Sequence, residues 1–507
     1  MDDVQERFEA LQAKLVPLWQ SIRELNDDEQ TIVVIPSINV DELEGSMVAM
    51  QPYEERYLFL LLLLRQPRAR VIYVTSQPIL PSIVEYYLDL LPGVIPSHAR
   101  PRLFAVPVLD GTHRPLSAKL LERPRLLERI RALIPDPDRA HLVPFNVTEM
   151  ERDLAVRLGI PMYGPDPRYF PLGTKTGGRR LFAEEGIRHP LGVEGLTCID
   201  DTVEAIADLR SREAALAHVL VKLNEGVAGE GNALVDLTDL PAPGADGEHE
   251  AIRRAVEAMQ LELSSASFDT FVEHLEEHGG VVEQRIVGEE VRSPSVQLRV
   301  TPLGEVEVLS THDQLLGGPS GQSYLGCMFP ASSEYAAAIT EEASKIAQRL
   351  ANEGVIGRFA VDFVVVRTAD GGWDAYAIEI NLRKGGTTHP FLTLQFLTDG
   401  TYDAESATFT APSGQTKCFV ATDHQASPDY RGLTPDDLFD IAVRHGLHFD
   451  QSRQTGVVFH MMTQLTESGY LGMTAVAGSP QGARELYDRA VEVLEAEARD
   501  AMTEAAP

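Results

Sequence analysis

The chain is expected to begin with an α/β domain, continue into an α+β region and end in a small α+β C-terminal domain. Three observations carry that expectation. Over residues 1–170, helical patterns alternate with short apolar runs, the signature of a parallel sheet flanked by helices. From residue 171 the apolar runs come in hairpin-like pairs, as antiparallel sheets require. The length, 507 residues, exceeds what one core can hold and points to about three domains.

In chain order, "TIVVIPSI" (31–38), "RVIYVTSQ" (70–77), "LFAVPVL" (103–109) and "AHLVPFNV" (140–147) are the expected parallel strands. The longest apolar run, "YLFLLLLL" (57–64), reads as a buried helix, far below the roughly 20 residues a bilayer span needs. "EMERDLAVRLGIPMYGPDP" gives a helix and a Pro/Gly-rich exit, closing a first domain at residue 170. Within 171–402, "HVLVKLN" (218–224) is expected to pair with "GNALVDL" (231–237), and "GGVVEQRIVG" (279–288) with "RSPSVQLRV" (292–300). "RFAVDFVVV" (358–366) should pair with "DAYAIEINL" (374–382). The small, polar segment 403–416 reads as a linker. Residues 417–507 hold a helix, a strand "TGVVFHMM" (455–462), a glycine turn and a long helix from 480.

Hydrophobic residues make up 44% and charged residues 24%, an ordinary globular balance, but the net charge is −32. Such a surface repels phosphate backbones and anionic lipid, which argues against nucleic acid or membrane as partners. It mildly favours a basic or guanidino-bearing substrate. Cys198, Cys327 and Cys418 are too scattered for a disulfide framework or a zinc cluster, so a reducing, cytoplasmic home is expected. The opening "MDDVQERFEALQAKL" is charged and amphipathic, with no signal-peptide core.

Chemistry-bearing residues cluster in four places. In the last hairpin Asp370-Gly371 is a strong turn signal. With that turn centre, Asp362 falls opposite Glu379, and Asn381 shares their face. Two facing carboxylates repel unless a cation sits between them, and an open oxygen-only set suits Mg²⁺. The alternative is that these residues are solvated on an exposed sheet face. "LVKLNEGVAGEGNALV" (220–235) carries Lys222 and then Gly226, Gly229 and Gly231; glycines admit backbone N–H groups to phosphate oxygens, although a plain turn would look the same. "GTKTGGRRLFAEEGI" (173–187) places Lys175 in a glycine-rich lead-in to a helix. "VVEQRIVGEEV" (281–291) runs Glu283, Gln284, Arg285 and Ile286 along a strand, with Glu290 past a turn. It is either an ordinary amphipathic strand or a connecting segment whose backbone meets a purine edge.

The order lysine-helix, lysine-strand with glycine loop, Glu-x-x-Ile-x-Gly-x-Glu, Asp-strand and Glu-x-Asn resembles the ATP-grasp superfamily over residues 171–400. "STHDQLLGGPSGQSYLGCMFPA" (310–331), "FPLGTKTGG" and the tail "TGVVFHMM…GYLGMTAVAGS" further resemble the pheganomycin-type peptide ligase family. The resemblance implies a pre-ATP-grasp α/β domain (1–170), an ATP-grasp domain of two α+β subdomains clamping ATP (171–402), a linker and a small C-terminal domain. It implies Lys175, Lys222 and Gly226, Gly229 and Gly231 on the triphosphate, Glu283–Ile286 as adenine hinge and Glu290 on ribose. Asp362, Glu379 and Asn381 match the Mg²⁺ ligands.

The implied activity is an ATP-dependent carboxylate–amine ligase, releasing ADP and phosphate and acting on amino acids or peptides in specialised metabolism. A non-catalytic, ATP-binding regulatory protein is the competing reading. Homodimerisation follows by analogy only. Arg358, Arg383, Lys384 and Gly386 are the candidate catalytic groups, with Gly385 beside them; Arg383 is favoured because a planar fork suits carboxylate and phosphate. His312 and Asp313 belong either to a lid or substrate loop or to a plain surface loop. His389 either places substrate or is structural, and His460 reads as packing or subunit contact.

Overall fold

The computed structural model describes residues 2–24, 29–38, 50–226, 229–263 and 265–504. The four N-terminal apolar runs form β1 (Gln30–Ile35), β2 (Ala69–Thr75), β3 (Leu103–Pro107) and β4 (Ala140–Pro144), all parallel in the order β3-β2-β1-β4. β1 is buried along its whole length, which explains a continuous apolar run instead of an alternating one. "YLFLLLLL" lies in a 3₁₀ helix, Arg56–Arg65, buried nearly all round, with the charged Arg56 buried at its head.

A second, antiparallel sheet contains β5 (Gly192–Leu196), β6 (His218–Leu223), β7 (Asn232–Asp236), β8 (Gln260–Leu261) and β9 (Gly280–Gln284), in the order β5-β9-β6-β7-β8. Helices Ile199–Arg212, Glu248–Glu257 and Phe268–His278 close its apolar core. The expected hairpin of 218–224 with 231–237 is present as β6–β7.

The third sheet has nine strands. β10 (Val291–Arg292), β11 (Pro294–Val300), β12 (Val306–Gly317), β13 (Ser323–Phe329), β14 (Gly357–Arg367) and β15 (Trp373–Asn381) form its first part. After a small hairpin of β16 (Thr401–Asp403) and β17 (Thr408–Thr410), the chain adds β18 (Cys418–Ala426), β19 (Gly456–His460) and β20 (Tyr470–Ala477). The order is β10-β14-β11-β12-β13-β18-β20-β19, with β15 on the other edge of β14.

Three expectations change. Segments 279–288 and 292–300 do not pair: β9 belongs to the second sheet and β11 to the third, so the chain between them crosses from one sheet to the other. Alternation identifies a strand but not its partner. The C-terminal residues do not form a sheet of their own, because β18 pairs with β13 and covers an edge that would otherwise stay open. Segment 403–416 is folded against the body, with Phe409 and Ala411 buried. One core joins a face of the first sheet (Val34, Tyr73), helix Thr388–Thr398 (Phe391, Leu394) and the C-terminal strands (Phe419, Phe459). Among the described residues no helix is long and apolar enough to cross a membrane.

Candidate active site

A cavity of about 810 Å³ is walled by the second and third sheets, with Tyr53 and Arg56 reaching in from the N-terminal third. The β14–β15 hairpin supplies its carboxylates. Asp362 stands opposite Glu379, as the turn signal suggested, but by a different route. The turn is longer than two residues, so near it the partners are one position out, with Arg367 opposite Trp373 and Phe363 opposite Ala377. A β-bulge at Ile378 then restores the register. The bulge also turns two consecutive side chains, Ile378 and Glu379, to the cavity, while Ala377 and Ile380 enter the core beneath.

Asn381 donates from Nδ2 to Asp362 Oδ2 at 3.1 Å. Burial, and then the charge of Glu379, push the Asp362 carboxyl up to about 6. Burial also opposes charge on Glu379, but Lys175, Arg383 and Lys222 outweigh it and hold that carboxyl below its ordinary value. The donor set is two carboxylates and an amide whose oxygen faces the site after a half-turn, and these hard oxygen donors fit Mg²⁺.

Lys175 opens helix Lys175–Glu184, whose start is fixed locally: Thr174 Oγ1 accepts the Gly177 N–H at 3.0 Å, and Asn224 Oδ1 accepts the Thr176 N–H at 3.0 Å. Its Nζ lies 2.6 Å from Glu379 Oε1. Lys222 on β6 donates to Glu283 on β9, a diagonal neighbour, and Arg179 NH1 meets the other Glu283 oxygen at 3.0 Å. Each lysine is thus held by a carboxylate on the cavity wall. Gly226, Gly229 and Gly231 line the cavity, and residues 227–228 of the loop lie outside the described residues. Gly229 has φ +89° and passes so close to the β12–β13 turn that a Cβ would sit 2.5 Å from the Gln322 carbonyl oxygen. That turn is held by Glu262, which accepts the N–H groups of Ser320 (2.9 Å) and Ser323 (3.0 Å).

Glu283, Gln284, Arg285 and Ile286 all line the cavity, along the crossing between the two sheets. Arg383 and Gly386 line it too. Arg383 is half-buried within electrostatic reach of Glu379, Arg56 and Asp362, and its guanidinium lies 5.9 Å from the Phe145 ring centroid.

Several expected residues are elsewhere. Glu290 is bridged to Arg292 (2.8 Å) and Arg367 (3.5 Å) and forms no part of the cavity wall. Lys384 is buried on the Pro144 carbonyl oxygen at 2.6 Å, tying the third sheet to the first; burial and then Arg358 lower its pKa to about 7. Arg358 shares the face of Asp362 but lies beside Arg299 and Tyr163, off the wall; burial and Arg299 lower it to about 10.

His312 and Asp313 sit on strand β12, not on a loop. His312 is buried against Phe329 and Phe419, its Nε2 is 2.8 Å from Ser310 Oγ, and burial lowers its pKa to about 3. Asp313 does line the cavity, accepting from Tyr335 (2.6 Å) and Ser332 (3.0 Å). His389 is buried at the start of helix Thr388–Thr398 and meets His460 and Asp423.

The cavity also holds groups the sequence did not single out. Arg56 NH1 lies 2.7 Å from Asp423 Oδ2, both buried, and both face the cavity. The available signal is a charge bordering an apolar run: "EERYLFLLLLL" for Arg56 and "CFVATDHQA" for Asp423.

A family model described as "IQCH-like, ATP-grasp" matches residues 257–405, and one described as "PGM1 C-terminal domain" matches 437–490. The L-propargylglycine–L-glutamate ligase of Streptantibioticus cattleyicolor is 29% identical over 480 residues, covering 93% of this chain and 95% of that protein. The IQ motif-containing protein H of Danio rerio is 25% identical over 545 residues, covering 97% of this chain but 50% of that protein. Among solved structures, the biotin carboxylase domain of Hydrogenobacter thermophilus 2-oxoglutarate carboxylase, in complex with MgADP, ADP and bicarbonate, superposes with a TM-score of 0.54 at 13% identity. That match covers 91% of this chain and 89% of the other. The chain carries the ATP-grasp fold.

Proposed function

We propose that this ATP-grasp chain is an ATP-dependent carboxylate–amine ligase joining amino acids or short peptides, with ADP and phosphate as products. The observation that carries the reading is the convergence of Asp362, Glu379, Asn381, Lys175 and Lys222 on one cavity, with Arg383 beside them. The ligase relative, aligned over nearly the whole chain, supports it.

In the first step a substrate carboxylate oxygen attacks the γ-phosphorus of ATP and ADP leaves. In the second an amine nitrogen attacks the acyl carbon and phosphate departs, leaving an amide. Neither step needs a protein nucleophile; both need charge neutralisation and in-line placement. Lys175 and Lys222 exchange their carboxylate partners for phosphate oxygens, which the apposed Glu379 and Glu283 pre-position them to do. Segment 283–286 receives the adenine between the sheets, and Gly226, Gly229 and Gly231 cover the phosphates. Arg383 holds the substrate carboxylate against the phosphorus and then the developing oxyanion. Asp362, Glu379 and Asn381 would hold Mg²⁺, which neutralises charge on the transferring phosphoryl group.

The test is ADP and phosphate release on adding paired carboxylate and amine pools with ATP and Mg²⁺. Release that depends on both pools supports the ligase. AMP and pyrophosphate as products would overturn the acyl-phosphate route, and ATP binding with no turnover on any pool would favour a regulatory protein.

A further inference from the structure

Apart from the oxygen-ligand pair, a second set of donors converges at the cavity wall. His389 comes from the start of helix Thr388–Thr398, Asp423 from β18 and His460 from the end of β19, and all three are buried. His460 Nε2 lies 2.7 Å from Asp423 Oδ1, His389 Nε2 lies 3.2 Å from that same oxygen, and the two nitrogens are 3.0 Å apart.

Protons alone do not satisfy this triangle. If both nitrogens carry hydrogen, two donors crowd each other at one oxygen. If either gives its hydrogen up, its lone pair faces the carboxylate. A cation just off the plane of the three atoms, about 2 Å from each, resolves all three contacts together. The spacing is close to what such an ion needs, since tetrahedral ligands at zinc distances lie about 3.3 Å apart.

The surrounding backbone is shaped for this convergence. β18 and β19 are not neighbours; β20 lies between them. His460 reaches Asp423 across β20 over Gly472, where a Cβ would stand 2.2 Å from the imidazole Cδ2. The ladder irregularity between Thr422 and Gln425 frees Asp423 from regular pairing. Asp423 keeps an outer partner, Arg56 on Oδ2, as ligating carboxylates do.

We infer that His389, Asp423 and His460 form a second metal site, distinct from the oxygen-ligand pair, for a borderline divalent transition ion of the zinc class. Two imidazole nitrogens and one carboxylate select such an ion over Mg²⁺, which prefers oxygen alone. The ion pins helix Thr388–Thr398 to the C-terminal strands at the cavity wall.

The experiment uses the full-length chain without a histidine tag, stripped with a chelator and titrated with Co²⁺ as a spectroscopic probe. One equivalent should give the intense visible ligand-field band of tetrahedral Co²⁺. The band should be lost in His389→Gln and in His460→Gln, each checked for folding by circular dichroism, and kept in Glu379→Gln. A wild-type chain with no tetrahedral band overturns the inference. So does a band that survives both histidine substitutions, or one lost in Glu379→Gln.

Discussion

Asp362 and Glu379 face each other across a single hairpin, whereas Asp423 gathers its partners from three other stretches of chain, at Arg56, His389 and His460. Both carboxylate clusters border one cavity, and segment 379–389 runs from one to the other. The first is rich in oxygen, lined with lysine and open to the cavity. The second is buried, rich in nitrogen and locked by a guanidinium. A cluster made by one hairpin can be altered without disturbing the fold. A cluster joining four distant segments costs more stability to alter, because each partner left behind is a buried polar group.

The sharpest way to break that contrast is to exchange its consequences. Arg56→Met leaves Asp423 buried without its cation and should cost about 3–5 kcal/mol, read as a lower urea midpoint. If it unfolds like the wild type but turns over poorly, the second cluster is catalytic and the contrast fails. Glu379→Gln should do the reverse. Its urea midpoint should stay near the wild type's, while kcat falls by about 10²–10³, as when one preorganised electrostatic contact is lost. Near-normal turnover would remove Glu379 from the Mg²⁺-holding set.

A smaller effect is expected at Gly229, beside the β12–β13 turn. Gly229→Ala forces a side chain into a left-handed backbone and against the Gln322 carbonyl, a strain of about 1–2 kcal/mol at least. ATP affinity measured by calorimetry should weaken about tenfold. Unchanged affinity would mean that the loop does not close on the nucleotide.

The smallest effect concerns Lys384, which anchors the segment between the two clusters. Its folded pKa, about 7, lies below its unfolded value, so from pH 7 upward the unfolded chain binds more protons and the native state gains stability as pH rises. Relative to Lys384→Met, the wild type should gain about 1 kcal/mol from pH 7 to pH 8 in urea unfolding. A pH-independent difference would show that the amine is charged throughout, and solvated.

The contrast also explains what could be read in advance. The β14–β15 pair was legible because a turn signal and a two-residue period act within some twenty residues, and the bulge at Ile378 happened to restore the register that the longer turn had shifted. The roles of Lys384, Arg358 and Glu290 were not legible. Proximity in sequence to a metal strand does not say which way the next side chain turns, and Lys384 turned to Pro144. His312 looked like part of a glycine-rich loop because its strand ends in one; its burial comes from Phe329 and Phe419, which lie outside that local pattern.

The sequence by itself determined the four parallel strands, the β6–β7 and β14–β15 hairpins and the facing carboxylates, since periodicity and turn chemistry are local forces. Tertiary structure alone decided that β9 and β11 part company between two sheets, that β18 extends the third sheet, and that Arg56 meets Asp423 from 367 residues away. Those outcomes depend on which apolar faces pack together and which buried charges must then find partners. No local stretch of sequence records that balance.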